Sequence, residues 1–224
     1  GEQVPPEPAG RRPVRAGWRF LRGNPPARTP VLAGTLHAAA GATYLAMLLP
    51  WADQQLGVPP AGDARLALVV SCWGLGAIVG CAVSPALLRR LGPVRLARRS
   101  LLGSLACGLA VWTCTHWLPA VLAGLLWGAV HTVVMKAVKD AVGQPALPAA
   151  RLLWRGIGPV AGAALAGAVA VTANPRAGLA VGVALLAVAA LLIRRGGTAA
   201  PAGSLPAQAT QATTLNQTTL NQTP

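Results

Sequence analysis

Charge is what this sequence has least of. Only 11% of its 224 residues are Asp, Glu, Lys or Arg, against 54% hydrophobic residues. That is too little charge to cover the surface of a water-soluble domain of this length. Five stretches carry none at all: Thr29–Ala52, Leu66–Leu88, Ser100–Met135, Gly156–Pro175 and Ala177–Ile193. A helix crossing roughly 30 Å of hydrocarbon at about 1.5 Å per residue needs about 20 such residues. These runs exclude a soluble fold and point to a polytopic all-α membrane protein.

Acids are scarcer still. The whole set is Glu2, Glu7, Asp53, Asp63 and Asp140, with none in mid-membrane. A proton-coupled machine wants an intramembrane carboxylate, so any coupling acid must lie elsewhere. Cysteine is limited to Cys72, Cys81, Cys107 and Cys114, all inside the apolar runs and without C-x-x-C spacing. They read as small buried hydrophobes, and neither metal nor other cofactor is expected. Ser71, Ser84, Ser100 and Ser104 lack the Gly-x-Ser-x-Gly setting of a nucleophile, which argues against an intramembrane hydrolase. Haem ligation would rest on His37 and His131 alone, with no second pair, and is disfavoured. No enzyme activity is expected. The net charge of +14 is spread in short runs between apolar stretches, with no aromatic-interleaved groove on which bases could stack, so nucleic acid is not an expected partner.

The apolar runs divide into six spans. Thr115-His116-Trp117-Leu118-Pro119 breaks the 36-residue run Ser100–Met135 into a helical hairpin, and Asn174-Pro175-Arg176 breaks the last pair. The expected spans are about 29–51, 66–89, 97–116, 118–139, 154–173 and 177–194. Arg11, Arg12, Arg15, Arg19, Arg22 and Arg28 precede the first span; Arg89, Arg90, Arg95, Arg98 and Arg99 follow the second. Lys136, Lys139, Arg151 and Arg155 follow the fourth, and Arg194 and Arg195 the sixth, leaving only Arg65 and Arg176 on the other side. The positive-inside rule then places both termini in the cytoplasm of a multi-pass protein of the cell (inner) membrane. Trp51 and Trp117 fall at outer span edges and Trp18 and Trp154 at inner ones, where amphipathic rings favour the headgroups. Trp73, Trp112 and Trp127 fall deeper, between helices.

Three regions follow. Residues 1–28 read as a cytoplasmic linker in which Gly17-Trp18-Arg19-Phe20-Leu21-Arg22 forms a short basic amphipathic helix before Pro25-Pro26. Residues 29–195 form the six-helix bundle. Residues 196–224 are low-complexity, end in a Thr-Thr-Leu-Asn-Gln repeat and read as a disordered cytoplasmic tail, where its two glycosylation sequons have no machinery to meet them. The chain starts with Gly rather than Met and shows no signal peptide; a piece of a longer chain is expected.

Within the spans, Gly76/Gly80, Gly124/Gly128, Gly158/Gly162 and Gly178/Gly182 have the G-x-x-x-G spacing of close helix contacts. Packing is one role for them; letting helices slide or rock is the other. Gly34, His37, Gly41 and Tyr44 fall on one stripe of the first span, and Gly124, Gly128, His131 and Met135 on one face of the fourth. An imidazole or phenol on a glycine stripe faces a cavity or a neighbouring helix rather than lipid. Two readings stand: a functional site, or a neutral His making an interhelical hydrogen bond. Lys136 and Asp140, four residues apart, lie at the inner end of the fourth span, with Lys136 placed to snorkel.

These features resemble one half of a major facilitator superfamily transporter. Leu88-Arg89-Arg90-Leu91-Gly92-Pro93-Val94-Arg95 is similar to the family loop G-x-L-x-D-R-x-G-R-R, with Pro85 for the first Gly, Arg89 for the Asp, and Pro93-Val94 for the basic pair. Gly158-Pro159-Val160-Ala161-Gly162 resembles the exporter pattern G-P-x-x-G-G, with Ala163 in the last place. The arm ending in Asn24-Pro25 is similar to the connection into the seventh helix of efflux members. Over residues 17–195 the resemblance implies the C-terminal six-helix half of an exporter of small amphipathic or drug-like molecules, working by alternating access driven by proton exchange. The N-terminal half, missing or separate, would be a partner and would hold the coupling acids. It further implies nested inverted three-helix repeats and a cavity lined by the first and fourth helices, so that His37, Tyr44 and His131 become substrate-path candidates. Arg89, Arg90, Gly92, Gly158, Pro159 and Gly162 are the candidate conformational and packing residues. The alternative expectation is a complete six-helix scaffold or regulatory membrane protein whose basic arm binds anionic lipid.

Overall fold

The computed structural model describes residues 11–61 and 63–196, and among them it is helical with no strand. The expected low-complexity tail beyond Gly196 and the sequons lie outside the described residues. Helix α1 (Arg11–Gly23) precedes α2 (Pro25–Leu56), α3 (Ala64–Leu91), α4 (Pro93–Thr113) and α5 (Trp117–Val142). A 3-10 turn, Gln144–Ala146, leads into the short α6 (Leu147–Leu152) and a π-helical turn (Leu153–Ile157). Helices α7 (Gly158–Thr172) and α8 (Pro175–Gly196) complete the chain.

The breaks between helices have simple local causes. Pro25 and Pro93 sit at the first position of α2 and α4, where the missing N–H costs no intrahelical bond. Gly92 joins α3 to α4 at φ +71°, a conformation other residues adopt only with strain. His116 starts α5, its Nδ1 accepting from the Leu118 N–H at 3.3 Å. The Asn174 side chain accepts from the Ala177 N–H at 2.9 Å at the start of α8. Helix α1 begins at Arg11, inside the stretch read as linker, and a clasp holds its far end: Arg28 Nε donates to the Leu21 carbonyl at 2.6 Å and Nη2 to that of Arg22. The π turn ends one residue before Gly158-Pro159 opens α7; Pro159 has no N–H to offer the carbonyl one turn back and crowds it.

Five segments are long and apolar enough to cross a membrane: Pro25–Leu56, Ala64–Leu91, Trp117–Val142, Gln144–Thr172 and Pro175–Gly196. They coincide with five of the six expected spans. The expected third span is α4, which reaches apolar sequence only from Ser100 because Arg95, Arg98 and Arg99 occupy its first turns; about 21 Å of helix remains beyond them. It packs between α5 and α8. The chain is a multi-pass helical membrane protein.

Packing is carried by glycine. A Cβ on Gly76 or Gly80 of α3 would run into the Leu125 or Ala129 carbonyl of α5, and one on Gly128 of α5 into the Trp73 carbonyl of α3. On the other side, Gly158 and Gly162 of α7 sit against the Thr35 and Ala39 carbonyls of α2. In both pairs a four-residue step on one helix meets a four-residue step on the other. The likeness extends one turn back, where Gly124 faces Cys72 and Gly34 faces Trp154. Helix α5 holds α3 and α4 as α2 holds α7 and α8, and the two groups join through α2 with α5 and α4 with α8. Side-chain hydrogen bonds pin the same seams: Trp127 Nε1 donates to Ser104 Oγ at 2.9 Å, Thr43 Oγ1 to the Gly162 carbonyl at 3.2 Å, and Trp154 Nε1 to the Val31 carbonyl at 3.0 Å. Trp51 and Trp154 are thus buried in the bundle rather than placed at the headgroups. An indole edge between helices finds apolar contact and, for Trp154, a carbonyl as well.

Two expected outcomes test this packing. Gly128→Val, which must displace the Trp73 backbone, should cost on the order of 1–3 kcal/mol and lower the melting temperature by several degrees. Gly167→Ala, with nothing within 4 Å of the new methyl, should melt like the parent. Equal melting of all three proteins would refute the close contact. At the start of α3, Asp63 Oδ1 accepts from the Arg65 N–H at 2.8 Å and from Arg65 Nε at 3.0 Å. This pairing holds the Asp63 carboxyl below the ordinary 3.8. Its contribution to stability is therefore present above 3.8 and is lost as pH falls through the depressed value. An NMR titration of Asp63 should show a midpoint below the ordinary one that moves up toward it in Arg65→Gln, which removes the guanidinium and keeps the backbone N–H.

Candidate functional site

Helix α2 places Gly34, His37, Gly41 and Tyr44 on one stripe, and that stripe lies against α5. His37 is fully buried, and its ring stacks on that of His131 with centroids 4.4 Å apart and planes 27° from parallel. Gly41 makes the approach possible: a Cβ there would stand 2.9 Å from His131 Cε1. Trp73 of α3 closes the group, its ring 5.1 Å from His131. Stacked rings present faces rather than nitrogens to each other. Both nitrogens of His37, Nδ1 of His131 and Nε1 of Trp73 are buried with no hydrogen-bond partner among the described residues.

Tyr44, two helical turns from His37, is 1% exposed and packs against Trp127 of α5 at 4.9 Å between ring centroids. Its hydroxyl and Cys72 Sγ converge on Gly124, standing 3.2 and 2.7 Å from where a Cβ would be. Tyr44 Oη and Trp51 Nε1 are likewise buried and unpartnered among the described residues. Six polar atoms without partners therefore gather along the seam of α2, α3 and α5. Buried donors and acceptors are ordinarily satisfied, and each one left alone costs roughly 1–3 kcal/mol. This concentration of unused hydrogen-bonding capacity is the structure's clearest mark of a polar site, because a bound polar group or a rearranged helix pair would engage it.

The structure brings His37 and His131 into contact and sets Tyr44 along the same seam. The interhelical hydrogen bond between neutral imidazoles, one of the two readings of the stripe, is not formed between these two residues; they stack instead. His131 also lines a pocket of about 360 Å³ at the end of α5 that carries Lys139. Nothing in the spacing of Trp73 and Cys72 distinguishes them from packing residues; only the tertiary fold puts them beside His131 and Tyr44. The remaining candidates stand apart from this seam. Arg89 and Arg90 are exposed in the last turn of α3, where cations complement the helix C-terminus, and Gly92 supplies the turn after them. Gly158, Pro159 and Gly162 form the tight α2–α7 contact and its adjoining π turn. Among the described residues no three His, Cys, Asp or Glu side chains converge as a metal site would require.

Comparison with known proteins bears on this geometry. No curated protein and no solved structure matches the chain. The family model of the Major Facilitator Superfamily matches residues 1–153, taking in α1 to α5 and the His37–His131 seam. With more than half its length so matched and at least five helices able to span a bilayer, the chain belongs to the major facilitator superfamily of membrane transporters.

Proposed function

We propose that the chain is the C-terminal six-helix half of a secondary transporter that exports small amphipathic or drug-like molecules by alternating access. The observation that carries this reading is the reciprocal packing of two three-helix groups, with α2 and α5 at the centre and a buried, unpartnered polar seam between them. That is the arrangement expected of nested inverted repeats built around a midplane site. In this reading α4 is the remaining span of six, and its arginines mark the inner surface. Basic residues concentrated on one side support an inner-membrane protein with both termini cytoplasmic. His37, Tyr44 and His131 line the substrate path. Among the described residues the seam holds no carboxylate, so the protons that drive export are taken up on an N-terminal six-helix partner half. The efflux assignment is supported by Gly158-Pro159-Val160-Ala161-Gly162, whose proline adjoins the π turn where α7 meets α2.

The mechanism then uses the two kinds of contact differently. Glycine-to-carbonyl contacts keep α3 on α5 and α7 on α2 as the halves rock, since neither pair can separate slightly without losing its whole interface. Both nitrogens of His37 and Nδ1 of His131 have no hydrogen-bond partner among the described residues, so a substrate's polar group can take them at little cost.

Reconstitution tests both parts. Proteoliposomes holding the chain alone should not move an amphipathic dye against a pH gradient, and adding a six-span N-terminal half should start export. Transport by the chain alone would end the half-transporter reading. In the reconstituted pair, His131→Ala and Tyr44→Ala should each cut the initial rate by about tenfold, equivalent to about 1.4 kcal/mol. Undiminished export in both variants would remove these residues from the path.

A further inference from the structure

The pocket beside His131 has a chemistry that the transport reading does not account for. Its walls come from two helical segments that face each other. From α5 come His131, Met135 and Lys139, four residues apart on one stripe, with Lys136 beside them. From the segment after the 3-10 turn come Leu147, Arg151 and Arg155, again at four-residue spacing, with Trp154 adjoining. Four cations therefore surround one concavity of about 360 Å³, and none of the described Asp or Glu residues lines it. That volume lies in the range of small-molecule sites.

The positive-inside rule accounts for basic residues at this end of the bundle, but not for their convergence in a cleft. Like charges gathered at a low-dielectric wall repel one another and attract counter-ions. Of the four, Lys136 donates to the Cys81 carbonyl at 3.1 Å. Lys139, Arg151 and Arg155 take part in no ion pair among the described residues. The π turn bears on the site as well, because Trp154 and Arg155 both lie on it and both line the pocket. π turns recur at functional sites, where they re-aim side chains. Trp154 is held by its bond to the Val31 carbonyl, which fixes its ring as an apolar wall. At the deep side His131 Nδ1 is buried without a partner among the described residues.

We infer that this pocket binds an amphipathic anion, its phosphate or carboxylate group held by Arg151, Arg155 and Lys139 and its apolar part lying against Met135, Leu147 and Trp154. Guanidinium forks suit such groups through bidentate, charge-assisted hydrogen bonds. The anion is either the headgroup of an acidic phospholipid or a soluble organic anion, and the two sources share this chemistry.

The full chain in detergent or nanodiscs tests the inference by binding alone, so failure of the transport reading leaves the result intact. Retention of phosphatidylglycerol over phosphatidylcholine, read by native mass spectrometry, probes the lipid source. Dansylglycine, with dansylcholine as the cation of like fluorophore, probes the soluble source. The expected result is retention of at least one anion, weakened about tenfold or more by Arg151→Gln with Arg155→Gln. The paired lysine variants should keep most of it, and Arg95→Gln with Arg194→Gln, which change basic residues outside the pocket lining, should leave it unaltered. Phosphatidylglycerol alone would assign the lipid source; dansylglycine alone, the soluble one. Retention of neither, equal retention of dansylcholine, or indifference to the paired glutamines would overturn the inference. If the paired glutamine variant does not fold, the exposed Lys139→Gln serves in its place, with an expected loss of several-fold and the same overturning outcomes.

Discussion

Everything in this bundle depends on helices touching at their backbones. In lipid, an apolar side chain gains little by leaving hydrocarbon for a neighbouring helix, so association rests on close van der Waals contact and a few interhelical hydrogen bonds. Gly76, Gly80 and Gly128 bring α3 and α5 to that distance, and Gly158 and Gly162 do the same for α7 and α2. The large apolar side chains of α3 and α7 point away from these contacts: Ile78 is 68% and Val160 69% exposed. The usual arrangement of a soluble core, bulky residues within and small ones without, is inverted along these two helices.

That inversion accounts for where the polar groups lie. Once glycines bring α2 and α5 together, the residues beside them on each stripe are forced into the seam, and His37 and His131 meet face to face. The contact excludes lipid and supplies no hydrogen bond in exchange. The seam is held by its surroundings, through Thr43 on one flank and the Trp127–Ser104 bond on the other, rather than by its own polar atoms. A site held from outside is free to spend its hydrogen bonds elsewhere.

Much of this is legible in the sequence. The charge-free stretches marked five of the helices, and the glycine spacings marked the faces that pack. The stripe Gly34-His37-Gly41-Tyr44 told that His37 faces something other than lipid, because period alone separates a helix face from its back. What His37 faces could not be read, since its distance in sequence from His131 leaves no local pattern. The burial of Trp51 and Trp154 is not legible in the sequence for a different reason. An amphipathic ring near a span edge has two satisfactory homes, headgroup or helix interface, and composition does not choose between them. The π turn was equally silent, although Pro159 in hindsight locates it. Lys139, Arg151 and Arg155 showed their topological meaning in sequence, while their shared cleft exists only after the segment beyond α5 folds back against it.

The clasp of Arg28 on the end of α1 has a mechanical meaning. Asn24 alone separates the two helices, a joint that would swivel freely if left bare. With the guanidinium gripping the last carbonyls of α1 from the first turn of α2, the joint is splinted. Gly17 meanwhile rests on Ala149 and so ties α1 to the segment between α5 and α7. A tilt of α2 must then drag α1 across its footing on α6 or break the splint. The short helix before the first span is thereby fixed at two points, to α2 through Arg28 and to the segment after α5 through Gly17.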